Sequence, residues 1–372
     1  MIALPALAVG VGSLAVSLAI SGIMTPLVRR LALQRGFVDR PSGLTGHKQH
    51  EQPTALGGGI AITVAALLPI VAALLAAAAF QHLGSERLAR WPGWVPVWTP
   101  WLGGIVRRTP QALAVIFGAL VMHLLGIIDD HRPLSPLFKL AVQIGVGLTL
   151  SAGFGIRSAE ALGPAPAVIL TTLWMVVLVN AFNFLDNMDG LAAGVAGLTA
   201  MILAISGFLA GQVFVPCMVL TVAGAALGFL VYNFPPASIF MGDAGSLVLG
   251  YLLAVCAVLT TFYDPDQLRQ PSGVLVPLVV FAIPLYDMAS VVIYRMHLGV
   301  SVLRGDRRHF SHRLVKLGKG PRTAILTIYL ATLGTALPAL LLPQLNWPQA
   351  MVVFGQCVCV VLIIALLESR DA

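Results

Sequence analysis

The chain has 372 residues, of which 58% are hydrophobic and only 10% charged, and its mean hydropathy is +0.92. A soluble domain carries about a quarter charged residues, so too little polar surface remains here to coat a soluble globule. The formal net charge is +7, but the basic residues lie in short loops between apolar runs. That placement argues against nucleic acid and for anionic lipid headgroups and anionic substrates.

About 20 consecutive apolar residues cross a bilayer. In chain order such runs fall at 2–28, 60–80, 111–128, 136–155, 165–183, 190–210, 213–232, 245–262, 274–294, 322–342 and 347–367. They predict an all-α, polytopic membrane helix bundle of about 11 transmembrane helices, with residues 1–372 forming a single integral membrane domain. The first run has no basic segment before it and no small-residue cleavage site after it, and it ends at Arg29 and Arg30, so it reads as a retained span. Runs six and seven are parted only by Gly211 and Gln212. Run nine contains Pro277, Pro284 and Asp287 and is expected to be broken. Cys217, Cys256, Cys357 and Cys359 all fall in apolar runs without metal-ligand or disulfide spacing and read as small apolar filler.

Placing the N-terminus outside puts 16 of the 22 lysines and arginines on inner segments, as the positive-inside rule favours. The C-terminus is then cytosolic. The 81–110 loop runs against this count with four arginines. It also carries Trp91, Trp94, Trp98 and Trp101, which predict an interfacial aromatic cluster.

The polar clusters all fall on the inner side of this map: Val38–Gly59, Gly126–Pro136, Asn180–Gly194, Tyr232–Ser246 and Arg304–Leu314. Asp129 and Asp130 are adjacent at the inner end of span three. Neighbouring carboxylates repel, so they need a cation or a shared proton, or are simply a solvated helix end. Asp186 and Asp189, preceded by Asn183, share one side of a helical turn. The helix start that follows offers free N–H groups suited to phosphate, although aspartates there also serve as plain caps. Asp243 is flanked by glycines that permit close backbone approach, and it too could cap the next span. Phe240 could stack on a nucleobase or anchor at the interface. His309 and His312, among Arg307, Arg308 and Arg313, could hold a diphosphate or belong to an ordinary polar loop; no thiolate stands near to suggest zinc. Carboxylates for a metal, basic residues for phosphates and glycines for close approach together describe metal-assisted phosphoryl transfer, and at a membrane surface one substrate is expected to be a lipid.

This set resembles the polyprenyl-phosphate N-acetylhexosamine-1-phosphate transferases of glycosyltransferase family 4, which include the phospho-N-acetylmuramoyl-pentapeptide translocase. The resemblance runs from about Asp39 to Leu317. It rests on Asp39-Arg40-Pro41, His47-Lys48, Pro53-Thr54 and Gly57-Gly58; on Asp129-Asp130; on Asn183-x-x-Asp186-x-x-Asp189-Gly190; on Phe240-Met-Gly-Asp243-x-Gly-Ser; and on Asp306-Arg307-x-His309-x-x-His312. It implies transfer of an N-acetylhexosamine 1-phosphate, first N-acetylglucosamine 1-phosphate, from a UDP-sugar to undecaprenyl phosphate with release of UMP, at the bacterial cytoplasmic membrane with the site facing the cytosol, as the first membrane step of an envelope polysaccharide. The 11-span layout resembles the N-acetylglucosaminyl branch.

By the same resemblance Asp243, Asp129 and Asp130 are catalytic and hold Mg²⁺, with Mn²⁺ as the alternative. Asp129 is the candidate base or positioner of the lipid phosphate. Asn183, Asp186, Asp189, Asn233 and Phe240 shape the nucleotide pocket, and Lys48, Arg307, His309 and His312 help bind substrate. The chain departs from the family where the translocase branch has a lysine three residues after its second aspartate. Pro133 stands there, leaving Arg132 or Lys139 to serve. Ser311 and Arg313 stand where histidines are usual. Asp129→Asn is expected to slow turnover less at high pH. Alternatives are phospho-N-acetylmuramoyl-pentapeptide transfer and, from another class, a secondary transporter, which would place its ionisable residues at the midplane. A CDP-alcohol phosphotransferase lacks its longer aspartate pattern here. A non-catalytic scaffold would tolerate Asp243→Asn. A second copy of the chain is a candidate partner alongside the bilayer, the UDP-sugar and the lipid phosphate.

Overall fold

The computed structural model describes residues 4–39, 53–83, 99–263, 270–299, 310–316 and 320–368. Among them the apolar runs all become helices. These are α1 (Leu4–Arg35), α2 (Gly58–Leu83), α4 (Thr109–His131), α5 (Pro136–Leu148, prolonged by a π turn to Gly153), α6 (Pro164–Leu185), α7 (Leu191–Leu209), α8 (Phe214–Asn233) and α9 (Asp243–Leu259). They continue with α10 (Val276–Val280), α11 (Ala282–His297), α13 (Pro321–Ala336, prolonged by a 3-10 stretch to Gln344) and α14 (Trp347–Glu368). A short α3 (Thr99–Arg107) precedes α4, a short α12 (Phe310–Lys316) precedes α13, and a two-stranded antiparallel ribbon pairs β1 (Val38–Asp39) with β2 (Thr54–Ala55).

Nine helices among the described residues are long and apolar enough to cross a membrane. The expected break in run nine is present: the segment Pro271–Val280 meets α11 at 62°, and counting the pair as one span brings the total to ten. Run eight is α9, only 17 residues long, at the lower limit of a bilayer crossing. The expected 11 runs are therefore all helical, and the two departures from a uniform span are the bent and the short one. Gly211, with φ of 73°, makes the turn that separates α7 from α8. Proline opens α5 and α13 at the first helical position, where its missing N–H is no loss. Ser135 caps α5 by accepting the Phe138 N–H.

The short helix lies at the centre. Every residue of α9 from Ala244 to Ala257 is buried, and it packs against α2, α4, α6, α7 and α8. By contrast, only 11% of the apolar stretch of α14 is buried, against 83% in α7. The exposed leucines and valines of α14 are ordinary for a face in contact with lipid tails. Where helices need adhesion without a hydrophobic gradient, small and hydroxyl residues supply it. Ser17 of α1 donates to Thr221 O of α8 at 2.6 Å and lies 2.8 Å from Ala65 O of α2, and Ser21 donates to Ala225 O at 2.8 Å. At the bend, Phe281 packs edge-on against Trp174 and Phe182 of α6, each at 6.1 Å.

Candidate active site

The described residues of the polar clusters that the sequence scatters over five loops meet at one end of this bundle. The carboxylate of Asp243, the first residue of α9, is held from two sides. Asn183, near the end of α6, donates to its Oδ1 at 2.9 Å, and Lys139 in the first turn of α5 donates to its Oδ2 at 3.0 Å. A third helix holds its backbone. Asp130, at the end of α4, accepts the N–H of Asp243 at 2.8 Å on one oxygen and that of Ala244 at 3.2 Å on the other. These are two of the four donors a helix start leaves unmatched, and an acidic group there is favoured by the helix dipole.

Two glycines allow this convergence. Gly242 takes φ of 67° immediately before Asp243, a conformation other residues avoid. At Gly126, a β-carbon would lie 2.3 Å from Ala244 N, so only glycine lets α4 press against the first turn of α9. One turn deeper, the His123 Nδ1 lies 3.1 Å from Ala244 O and 3.0 Å from Thr63 Oγ1, tying α2 and α4 to the same turn.

Asp129 has different partners from Asp130. Its Oδ1 accepts the Leu134 N–H at 2.7 Å and its Oδ2 accepts from Lys139 at 2.8 Å. Lys139 is thus an ammonium shared between Asp129 and Asp243. Of the two basic residues left open by the departure at Pro133, Lys139 is the one brought against Asp129 and Asp243, while Arg132 lies exposed at the C-cap of α4.

The loop between α6 and α7 carries Asp186 and Asp189. Desolvation first, then the charges of Asp243, Asp130 and Asp189, push the Asp186 carboxyl well above the usual carboxylate range. Asp189 accepts the Ala237 N–H at 2.9 Å. Asn233, 3% exposed, accepts from Gly190 N and donates to Ile239 O, both at 2.9 Å. These two side chains therefore stitch the Asn183–Gly190 loop to the 234–242 segment, and they shape the site by holding backbone. Phe240 bonds through its backbone on both sides, to Ala55 O and from Gly58 N, each at 2.9 Å, so the β-ribbon after span one reaches the same place. Arg29 donates to Ser238 O at 3.1 Å and Arg322 to Pro235 O at 2.9 Å. Neither anchor follows from a motif, because each reads a carbonyl far away in sequence. His312 lies on α12, which docks beside the α6–α7 loop through a hydrogen bond from Ser311 to Asn187 and onto α11 through one from Arg313 Nη2 to Ser290 at 3.1 Å. Lys48, Arg307 and His309 lie outside the described residues.

Among the described residues, no three of His, Cys, Asp and Glu are grouped closely enough to cage a metal by themselves. Mg²⁺ does not ask for such a cage. It binds through one or two carboxylates together with substrate phosphates and water. Asp129 and Asp243 offer hard oxygen donors on either side of one ammonium. The donor set fits a divalent cation.

A profile described as glycosyl transferase family 4 matches residues 112–261, which span the carboxylate centre and α9. A Bacillus subtilis protein named probable undecaprenyl-phosphate N-acetylglucosaminyl 1-phosphate transferase is 31% identical over 89% of this chain and 85% of its own length. A Mycolicibacterium smegmatis decaprenyl-phosphate N-acetylglucosaminephosphotransferase is 31% identical over 92% of this chain and 84% of its own. A phospho-N-acetylmuramoyl-pentapeptide-transferase of Moorella thermoacetica is 33% identical, over 41% of this chain and 54% of its own. With near full-length similarity to the first two and Asp129, Lys139, Asn183, Asp186, Asp189 and Asp243 falling within the matched region, the chain belongs to glycosyl transferase family 4.

Proposed function

We propose that this enzyme transfers N-acetylglucosamine 1-phosphate from UDP-N-acetylglucosamine to undecaprenyl phosphate, releasing UMP, at the cytosolic face of a bacterial inner membrane. The observation that carries the reading is the Asp129–Lys139–Asp243 centre at one end of a membrane bundle, in a chain whose near full-length relatives are named for this transfer to a polyprenyl phosphate.

In the reaction a lipid phosphate oxygen forms a bond to the sugar-bearing phosphorus, the bridging P–O bond breaks, and UMP leaves with that electron pair. A phosphate monoester has a second pKa of about 6, so the nucleophile is largely dianionic at neutral pH without a base. The requirement is to bring two anions together. Lys139 supplies positive charge at that point, Asn183 and Asp130 hold Asp243 in place, and Asp129 orients Lys139 through one oxygen while each of its oxygens keeps a lone pair for the metal. Bound through Asp243 and Asp129, Mg²⁺ would neutralise charge on the diphosphate and on the departing UMP. The α6–α7 loop and the 234–242 segment flank this centre, and Phe240 of that segment would stack on uracil.

The test is a panel of UDP-sugars with undecaprenyl phosphate and Mg²⁺, scored by UMP release from purified protein. Release with UDP-N-acetylglucosamine that requires both lipid phosphate and metal is expected. No UMP with any donor would overturn the reading, since a transporter makes no product.

A further inference from the structure

Beneath the carboxylate centre lies a second polar layer that the chemistry above does not use. Gln143 is one turn below Lys139 on α5, and Asn180 is one turn below Asn183 on α6. The two side chains meet: Asn180 Nδ2 donates to Gln143 Oε1 at 2.6 Å and, with its second hydrogen, to Val176 O of its own helix at 2.8 Å. Gln143 is only 3% exposed and sits within an apolar span.

An amide in such surroundings is unfavourable unless it is paired, and hydrogen bonds between membrane helices add little to stability on average. Leucine at both positions would fill the same space without that liability. The placement of the pair gives it a different use. Asp243 is held at Oδ2 by Lys139 from α5 and at Oδ1 by Asn183 from α6. The distance between α5 and α6 therefore sets whether both grips can be made at once. α5 is also partly exposed, with Leu137, Phe138, Ile144 and Leu148 on its outer side, so its packing against the bundle comes from one side only.

We propose that Gln143 and Asn180 form a cross-brace between α5 and α6, acting as positioning residues that hold Lys139 and Asn183 at the separation needed to orient the Asp243 carboxylate. The inference rests on reading Asp243 and Lys139 as the reacting centre. An amide pair suits this task better than an apolar one because a hydrogen bond fixes one distance and direction, whereas leucines slide past each other. A displacement of about 1 Å at a reacting group can lower a rate by about 10²-fold.

The experiment compares Gln143→Met, Asn180→Leu, the double variant and Gln143→Glu, purified in detergent, by UMP release with UDP-N-acetylglucosamine. Thermal midpoints and the folded fraction are measured on the same samples. Each single apolar variant is expected to lower kcat per folded molecule by about tenfold or more with KM within about twofold. The double variant should lose no more than the worse single one, because the two residues act through one bond. Gln143→Glu keeps an acceptor oxygen facing Asn180 in either protonation state and should retain most of kcat. Unchanged kcat per folded molecule in both single variants, or losses that multiply in the double variant, would overturn the brace. A single variant that does not fold leaves the other and Gln143→Glu to decide on the same measure. The unaltered chain and Asp243→Asn, run alongside, separate the two ideas: no UMP from the unaltered chain defeats the functional reading, while an active chain indifferent to Gln143 and Asn180 defeats the brace alone.

Discussion

Asp243 and Asp189 stand at comparable places, each an aspartate beside a glycine where an apolar helix begins, yet the fold uses them in different ways. Asp243 is held by side chains from two helices, with its carboxylate turned toward Lys139. Asp189, with Asn233, binds backbone N–H and carbonyl groups and joins two loops. In the proposed reading, the first region presents charge to a ligand and the second helps to build the wall around it. A polar residue near a membrane surface thus has no assignable role until its partners are known, since side-chain partners leave a charge adjustable while backbone partners fix a shape.

The largest test of this division is at the carboxylate centre. Asp243→Asn should lower kcat by about 10³-fold, and Lys139→Ala by a similar order, each with a small change in thermal midpoint; a loss below tenfold in both would erase the distinction between the two regions. Asp129→Asn should lower kcat by about 10²-fold. With the lipid phosphate largely dianionic at neutral pH, the loss is expected to be level across pH 6–9, in place of the recovery at high pH that a general base implies. A kcat–pH profile in which the deficit closes above pH 8 would restore the base.

On the other side of the comparison, Asn233→Ala removes two buried hydrogen bonds and should lower stability by about 1–3 kcal/mol. The damage should be read mainly in the thermal midpoint, with kcat per folded molecule falling less than tenfold. The smallest effect is expected at Asp186, and its sign follows from linkage. An acid whose folded pKa lies above its unfolded value binds more protons when folded, so it costs stability as pH rises through that interval. Its carboxyl is raised by desolvation and by Asp243, Asp130 and Asp189. Asp186→Asn should therefore raise the thermal midpoint of ligand-free protein at neutral pH, and the advantage should vanish as pH falls to about 4, the unfolded carboxylate value. Adding Mg²⁺ should shrink the advantage as well.

Much of this was legible in the chain itself. Hydrophobic runs became helices because a bilayer demands that every backbone group be satisfied within its own segment. That demand is local, so 11 runs, the turn at Gly211 and the break near Pro277 and Pro284 could be placed from sequence alone. The acidic motifs could be placed at helix ends for the same reason, and their residue types identified phosphoryl chemistry. What the sequence left open were pairings between distant residues. Nothing local says that Asp130 caps α9 while Asp129 turns toward Lys139, although the two are neighbours. Successive residues on a helix point about 100° apart, and only the packing of α4 against α5 and α9 decides what each one meets. Nor does a local pattern say that Lys139, six residues beyond Pro133, comes to lie against both Asp129 and Asp243. The sequence determined the spans and the chemical character of the site, because hydropathy and residue type act within a single segment. Tertiary structure alone decided which carboxylate meets side chains and which meets backbone, because that depends on distances between helices that no segment encodes by itself.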